Sequence, residues 1–415
     1  MIQSKVYWIK LISKFVSIQL VVQALGFLSG ILLVRTLSKE EYAFFTLANT
    51  MQGAMNVLAD SGISSALSAI GGKVWQNPYR FGQLINTAMK WRYRLAFIAI
   101  LTVTPILVWT LLQNKASIAY TIIITTAIVI ELNFYQYIGV LSSVLRLNTQ
   151  ITRLQKIALI GAGSRIILLG ISFKILNAGV ATIISAITSA LQTIVLFGWI
   201  EDKVDRKAPV NEQDSKEIQK LIASQLPNAI FYCIQGQLVI LLISLFGNTQ
   251  DIANIGALSR LGIIFSLFSS VMTDILLPSF ARCQSYKPLV IKYIQIILLY
   301  IGLTVSLNVL VYLFPSTVLW ILGNQYSNLE KEAILIIMSS SIGSFAAILW
   351  SINASKGWID LAWLIPPTII TAQIILLFIL NLSSVTGIIL FNALSVIPTI
   401  GLHIFMTYRG LKQYS

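Results

Sequence analysis

Runs of about 20 apolar residues dominate this chain and constrain it more than any other feature. A helix needs about that length to cross the roughly 30 Å hydrocarbon core of a bilayer. Inside that core each backbone N–H and C=O must find its partner within the segment, so such runs fold as helices. Twelve runs recur, near residues 13–34, 43–70, 95–112, 117–145, 157–174, 178–199, 221–246, 252–280, 292–314, 333–355, 361–380 and 384–406. Charged residues make up only 11% of the chain and hydrophobic ones 56%. A soluble domain carries about 25% charged residues, so this chain cannot cover a soluble surface. The first run follows Lys5 and Lys10, but it is too long for a signal peptide and lacks a small-residue cleavage site. It is read as the first span.

The basic residues orient the spans. Cytoplasmic loops collect Lys and Arg. With the N-terminus inside and the spans alternating, 22 of the 29 Lys and Arg fall on the cytoplasmic side and 5 outside. The remaining two, Arg165 and Arg260, fall inside spans. This places both termini in the cytoplasm and requires an even number of spans. The tryptophans sit near span ends, as an interfacial aromatic belt requires. The net charge of +14 is dispersed among the apolar runs, so anionic lipid is its expected partner and nucleic acid is not.

The longest polar stretch, 201–220, lies between the sixth and seventh runs. It divides the chain into an N-terminal six-helix half (1–200), a cytoplasmic linker (201–220) and a C-terminal six-helix half (221–415). An internal echo accompanies the division. The segment from Thr36 to Tyr42 enters span two, and the segment from Phe246 to Ile252 enters span eight. Two halves that both start inside are parallel repeats. The expected fold is therefore an all-α integral membrane protein with about twelve transmembrane helices.

Enzyme chemistry finds no footing. There is no phosphate-binding lysine loop and no dinucleotide fingerprint. One histidine, His403, and two cysteines, Cys233 and Cys283, supply neither a metal cluster nor a disulfide framework. No cofactor is expected. His403 reads as a packed or headgroup-level residue. Gly161-Ala-Gly163 reads as a close-packing site for a neighbouring helix.

The informative residues are ions inside spans: Asp60, Glu131, Arg165, Arg260 and Asp274. Each costs at least about 2.5 kcal/mol at the bilayer centre, so each needs a cavity or a partner. One reading places Arg165 and Arg260, one from each half, in a water-filled cavity facing an anionic group, since a guanidinium matches phosphate oxygens. Arg35, at the outer end of span one, either joins them or snorkels to the headgroups. Glu131, Asp60 and Asp274 are then candidate ion-coupling sites. The alternatives are local. Glu131 and Arg165 lie at similar depth and can neutralise each other, Asp60 can bond Ser61, Ser64 or the backbone, and Asp274 lies close to the solvated inner boundary. Glutamines 19, 23, 225, 235 and 237 occupy equivalent spans of the two halves and either line a cavity or join helices. Pro227 and Pro398 permit bends within spans.

The segment from Lys14 to Leu37 reads Lys-Phe-x5-Val-x2-Gln-x2-Gly-x3-Gly-x4-Arg-x-Leu. Ser-Lys-Glu-Glu-Tyr-Ala follows from Ser38, then Leu58-Ala-Asp-Ser-Gly62. This pattern resembles the Wzx-type polysaccharide flippases of the multidrug/oligosaccharidyl-lipid/polysaccharide exporter (MOP) superfamily. Ala43 departs from the aromatic-Gly form of the turn after Tyr42. The motif covers the first 70 residues or so, and the two six-span halves extend the likeness. The resemblance implies a flippase in the bacterial cytoplasmic membrane. Its cargo would be an undecaprenyl-diphosphate-linked oligosaccharide, moved by alternating access coupled to an ion gradient. Polysaccharide polymerase and chain-length proteins would be its partners. Two other functions stay open: a drug/cation antiporter of the MATE kind, favoured by the mid-span acids, and a non-transporting scaffold of a glycan assembly complex.

Overall fold

The computed structural model describes residues 2–272 and 276–413. Asp274 lies outside them. The described chain is all-helical: α1 Ile2–Thr36, α2 Lys39–Asp60, α3 Ile63–Val74, α4 Pro78–Gln113, α5 Ile118–Leu147, α6 Ile151–Ile171, α7 Ala178–Ile200 and α8 Glu212–Phe246. There follow α9 Thr249–Leu261, α10 Ile263–Val271, α11 Leu277–Ala281, α12 Tyr286–Leu313, α13 Pro315–Leu322, α14 Glu330–Lys356, α15 Ile365–Ile379 and α16 Val385–Lys412. Helix starts are marked by side chains that accept from the first free N–H groups. Ser38, Asn77, Ser117, Asn177, Asn248 and Ser384 all do so.

Among the described residues, ten helices are long and apolar enough to cross a membrane. They correspond to ten of the twelve expected spans. The other two, 43–70 and 252–280, arrive as broken helices. Span two stops at Asp60 and restarts at Ile63. Ser61 (φ 21°) and Gly62 (φ 94°) take positive-φ conformations there, which an L side chain resists and glycine does not. Span eight breaks after Leu261, at Gly262. The helices also overrun the hydropathy windows. α4 begins at Pro78, nearly five turns before the apolar run at 95.

The chain forms two compact units, Met1–Ile240 and Leu241–Ser415. In the first, α5 packs on α7, α2 on α4 and α5, and α1 on α6. Its core gathers Ile63, Leu84, Val144, Leu196 and Ile218 from α3, α4, α5, α7 and α8. In the second, α14 packs on α16, α16 on α15, and α9, α10 and α11 on α14. Phe280, Tyr300, Ile352 and Trp358 form its core. Large apolar side chains on the outer faces, such as Phe97, Leu298 and Phe378, are exposed, as lipid-facing positions allow.

The polar stretch after α7 is strapped to α4. Asp205 N–H donates to the Pro78 carbonyl at 3.0 Å, Asn86 Nδ2 donates to the Ala208 carbonyl at 2.7 Å, and Asn211 N–H donates to Thr87 Oγ1 at 3.0 Å. Arg80 grips both oxygens of the buried Asp214 at 2.5 and 2.6 Å. Backbone groups make most of these bonds, so side-chain pattern alone does not announce them.

Candidate functional site

The polar interior of the first unit is built on one stripe of α2. Gln52, Asn56 and Asp60 recur every fourth residue, so they share a helix face and span roughly 12 Å. Each end of the stripe meets an ion from another helix.

At one end lies Glu131 of α5, 8% exposed within an apolar helix. Its Oε1 accepts, at 3.5 Å, from the hydroxyl of Ser189 on α7, and Gln52 of α2 stands beside the carboxylate. Its second oxygen has no hydrogen-bond partner among the described residues. Arg165 of α6 is half-buried and interacts with Glu131 electrostatically, yet the two do not form an ion pair within 4.0 Å. The two residues therefore share a field without closing on each other. Nearby, Gln192 Nε2 donates to the Ile157 carbonyl at 2.9 Å. Gly161 gives the Gln192 side chain the room it occupies, while Gly163 faces open space. Only the first glycine of that pair serves close packing.

At the other end, Asp60 closes α2 at its break. Arg92 Nη2 donates to Asp60 Oδ1 at 2.6 Å, and the Ser64 hydroxyl donates to the same oxygen at 2.7 Å. The Asp60 side chain is 34% exposed and that of Arg92 is 4% exposed. The guanidinium also donates to the Gln136 carbonyl of α5 at 3.2 Å. Sequence reasoning assigned Arg92 to a cytoplasmic loop, because hydropathy starts the span at 95. The Asn77 cap followed by Pro78 is the signal that the helix starts earlier, with Arg92 inside it.

The other expected residues are placed as follows. Arg35 is exposed in the last turn of α1. Arg260 is half-buried in the last turn of α9, in the second unit. Gln225 of α8 reaches Ser65 just past the break, at 3.4 Å. His403 is buried against Trp350, with ring centroids 5.9 Å apart. The helices α8 and α16 continue through Pro227 and Pro398. No group of three or more metal-ligating side chains occurs among the described residues.

One group was missed at the far end of α2. The Glu41 carboxylate accepts from the Tyr120 hydroxyl and, at 2.7 Å, from the Ala178 N–H that opens α7. Glu41 thus joins the starts of α2, α5 and α7, a structural task for an acid in the Ser-Lys-Glu-Glu-Tyr turn.

No protein-family model matches the chain, and no curated protein matches it in sequence. Solved structures do match its fold. The lipid II flippase MurJ, in an inward closed conformation, superposes with a TM-score of 0.77 at 15% identity, over 97% of this chain and 89% of that one. An inward-facing multidrug-resistance MATE transporter of the MOP superfamily gives 0.69 at 15% identity, over 95% and 96%. A MOP superfamily transporter from Pyrococcus furiosus gives 0.63 at 14%, over 96% and 95%. All three are membrane transporters and none is an enzyme. At these identities the likeness speaks for the fold, and this chain has the fold shared by the MurJ flippase and the MATE transporters of the MOP superfamily.

Proposed function

We propose that this chain is a flippase of the bacterial cytoplasmic membrane for undecaprenyl-diphosphate-linked oligosaccharides of the O-antigen kind. Sugars and a diphosphate cannot enter hydrocarbon unaided, because each unpaired polar group costs several kcal/mol there. A transporter must offer a polar path while the prenyl tail stays in lipid. The observation that carries the reading is the ionic interior of the first unit: Glu131, Arg165 and Arg92 lie within apolar helices, and Arg92 pairs with Asp60 at the break of the second span. Such ions mark substrate or ion pathways. Their setting in a fold shared with a structure named as a lipid II flippase adds support.

In this reading Arg165, Arg260 and Arg35 are candidate contacts for the anionic head, and Glu131, Asp60 and Asp274 are candidate coupling acids. Both termini lie in the cytoplasm, and the halves 1–200 and 221–415 alternate access. Polysaccharide polymerase and chain-length proteins are the partners that would receive the product.

The test is a strain lacking this gene. Polyprenyl lipids are extracted and surface polymer is measured. The complete lipid-linked unit should accumulate and the polymer vanish, with the wild-type gene reversing both. Arg165→Glu and Arg260→Glu should fail to reverse them at matched expression. A second reading, a drug/cation antiporter, is favoured by one observation: Glu131 keeps a buried oxygen that has no hydrogen-bond partner among the described residues and is suited to a cation. An unchanged lipid pool with new drug sensitivity would put that reading first. An unchanged lipid pool with lost polymer would favour a scaffold.

A further inference from the structure

Arg92 is held in a way that ordinary packing does not need. Its guanidinium lies against α5 beside Gly139. A Cβ at that position would lie 2.0 Å from Arg92 Nη1 and 2.7 Å from Cζ, so only glycine leaves the notch open. From this notch the guanidinium reaches in two directions, to the Gln136 carbonyl and to the carboxylate that ends α2. The arrangement is poor as a stabilising device. Arg92 Nε and both amide atoms of the buried Gln136 lack hydrogen-bond partners among the described residues. A buried polar atom without a partner costs stability, and well-packed apolar residues commonly replace buried pairs without loss.

Asp60 shows the other half of the arrangement. Among the described residues both hydrogen bonds to its carboxylate fall on Oδ1, and a third of the side chain is exposed. We propose that Arg92 is a positioning residue of the transport site. From the Gly139 notch it fixes the Asp60 carboxylate at the break of the second span and presents its outer oxygen to a coupling cation. Arg92 itself touches no cargo and acts through Asp60. The inference rests on the transport reading only for its functional readout.

The test uses the full chain in nanodiscs of phosphatidylethanolamine and phosphatidylglycerol, with the two native thiols removed as Cys233→Ala and Cys283→Ala and Ser65→Cys as a reporter one turn past the break. The labelling rate by a water-soluble maleimide reads the geometry of α3. Complementation of the deletion strain at matched expression reads function. Gly139→Ala and Arg92→Gln should each change the labelling rate and abolish complementation. The double variant should behave as either single variant does, because both remove one contact. Arg92→Lys should not rescue, since a point charge cannot reach both acceptors as the planar fork does. Asp60→Asn keeps an acceptor oxygen but leaves the buried Arg92 without its counter-charge, so complementation should be lost whatever the labelling rate.

A wild-type labelling rate in Gly139→Ala, or additive effects in the double variant, overturns the positioning role. Complementation by Asp60→Asn overturns the presentation of the carboxylate. If the wild-type gene itself restores no lipid or polymer phenotype, the transport reading fails, while the labelling series still decides the positioning role.

Discussion

The second span of each sequence half is broken, and the two breaks solve one problem with opposite charges. Gly62 and Gly262 interrupt them 200 positions apart, and Asp60 and Arg260 each stand two residues earlier. A helix C-terminus carries partial negative charge, so it favours a cation and disfavours an acid. Arg260 therefore suits its own helix end. Asp60 opposes its helix end and needs a counter-charge, which Arg92 supplies from α4. The packing surfaces differ in the same sense. The first break is tied through an ion pair into a glycine notch on α5. The second meets a run of serines on α14, where Ser340 Oγ approaches Gly262 and Ser344 bonds Ser269 at 3.0 Å. An acid held against its helix dipole, with a buried partner to compensate, adds nothing to stability that a neutral or basic residue would not, which points to function.

Charge reversal tests that comparison most severely. Asp60→Arg sets a second cation against the buried Arg92 and should destabilise the protein by at least about 3 kcal/mol. Arg260→Asp reverses a helix-end interaction, worth about 0.3–1 kcal/mol, and should cost less. Thermal unfolding in detergent, followed by tryptophan fluorescence, measures both. Equal losses would show that the two breaks are held alike and would remove the contrast.

The backbone of the first break comes next. At Gly62 an alanine would have to adopt the positive φ and would meet Gln225 Oε1 and the Leu221 carbonyl at 3.2 Å. Gly62→Ala should cost about 1–2 kcal/mol from the left-handed conformation alone. The same unfolding assay reads it, and a loss under about 0.5 kcal/mol would mean that the break tolerates a side chain and is not fixed by glycine.

The breaks were half-legible in the sequence. Hydropathy located both spans, and the echo between the segments at Thr36 and Phe246 marked two equivalent helix starts, which the Ser38 and Asn248 caps match. The Asp-Ser-Gly triplet stood in view but was read only as a motif. Hydropathy sums over a window, and a break of one or two residues hardly changes the sum. Arg92 escaped for a related reason. Its neighbours Lys90, Trp91 and Arg94 lower the window average, so the span was started after it. Of the site, Glu131 and Asp60 were legible as costly ions, and Ser64 as a local partner of Asp60. The strap along α4 was not, because it is made largely by backbone groups that carry no residue signature.

The smallest effect separates the two breaks by sign. Gly262 has φ −68° and ψ −13°, right-handed helical values open to any L residue. A side chain there would meet the Ser259 carbonyl oxygen at 3.2 Å and, as the nearest obstacle, Ser340 Oγ, 2.7 Å from where a Cβ would stand, with Ser340 Cβ at an ordinary 3.5 Å. Removing that oxygen as Ser340→Ala should open the place. Alanine is favoured over glycine within a helix by roughly 0.5–1 kcal/mol, because less chain entropy is lost on folding. Gly262→Ala in the Ser340→Ala background should therefore raise the melting temperature, whereas Gly62→Ala lowers it. A loss in both would mean that the second break also depends on glycine for its backbone shape, and the two units would then share one kind of hinge. A gain in the second alone would place the conformational constraint in the unit that carries Asp60 and Arg92.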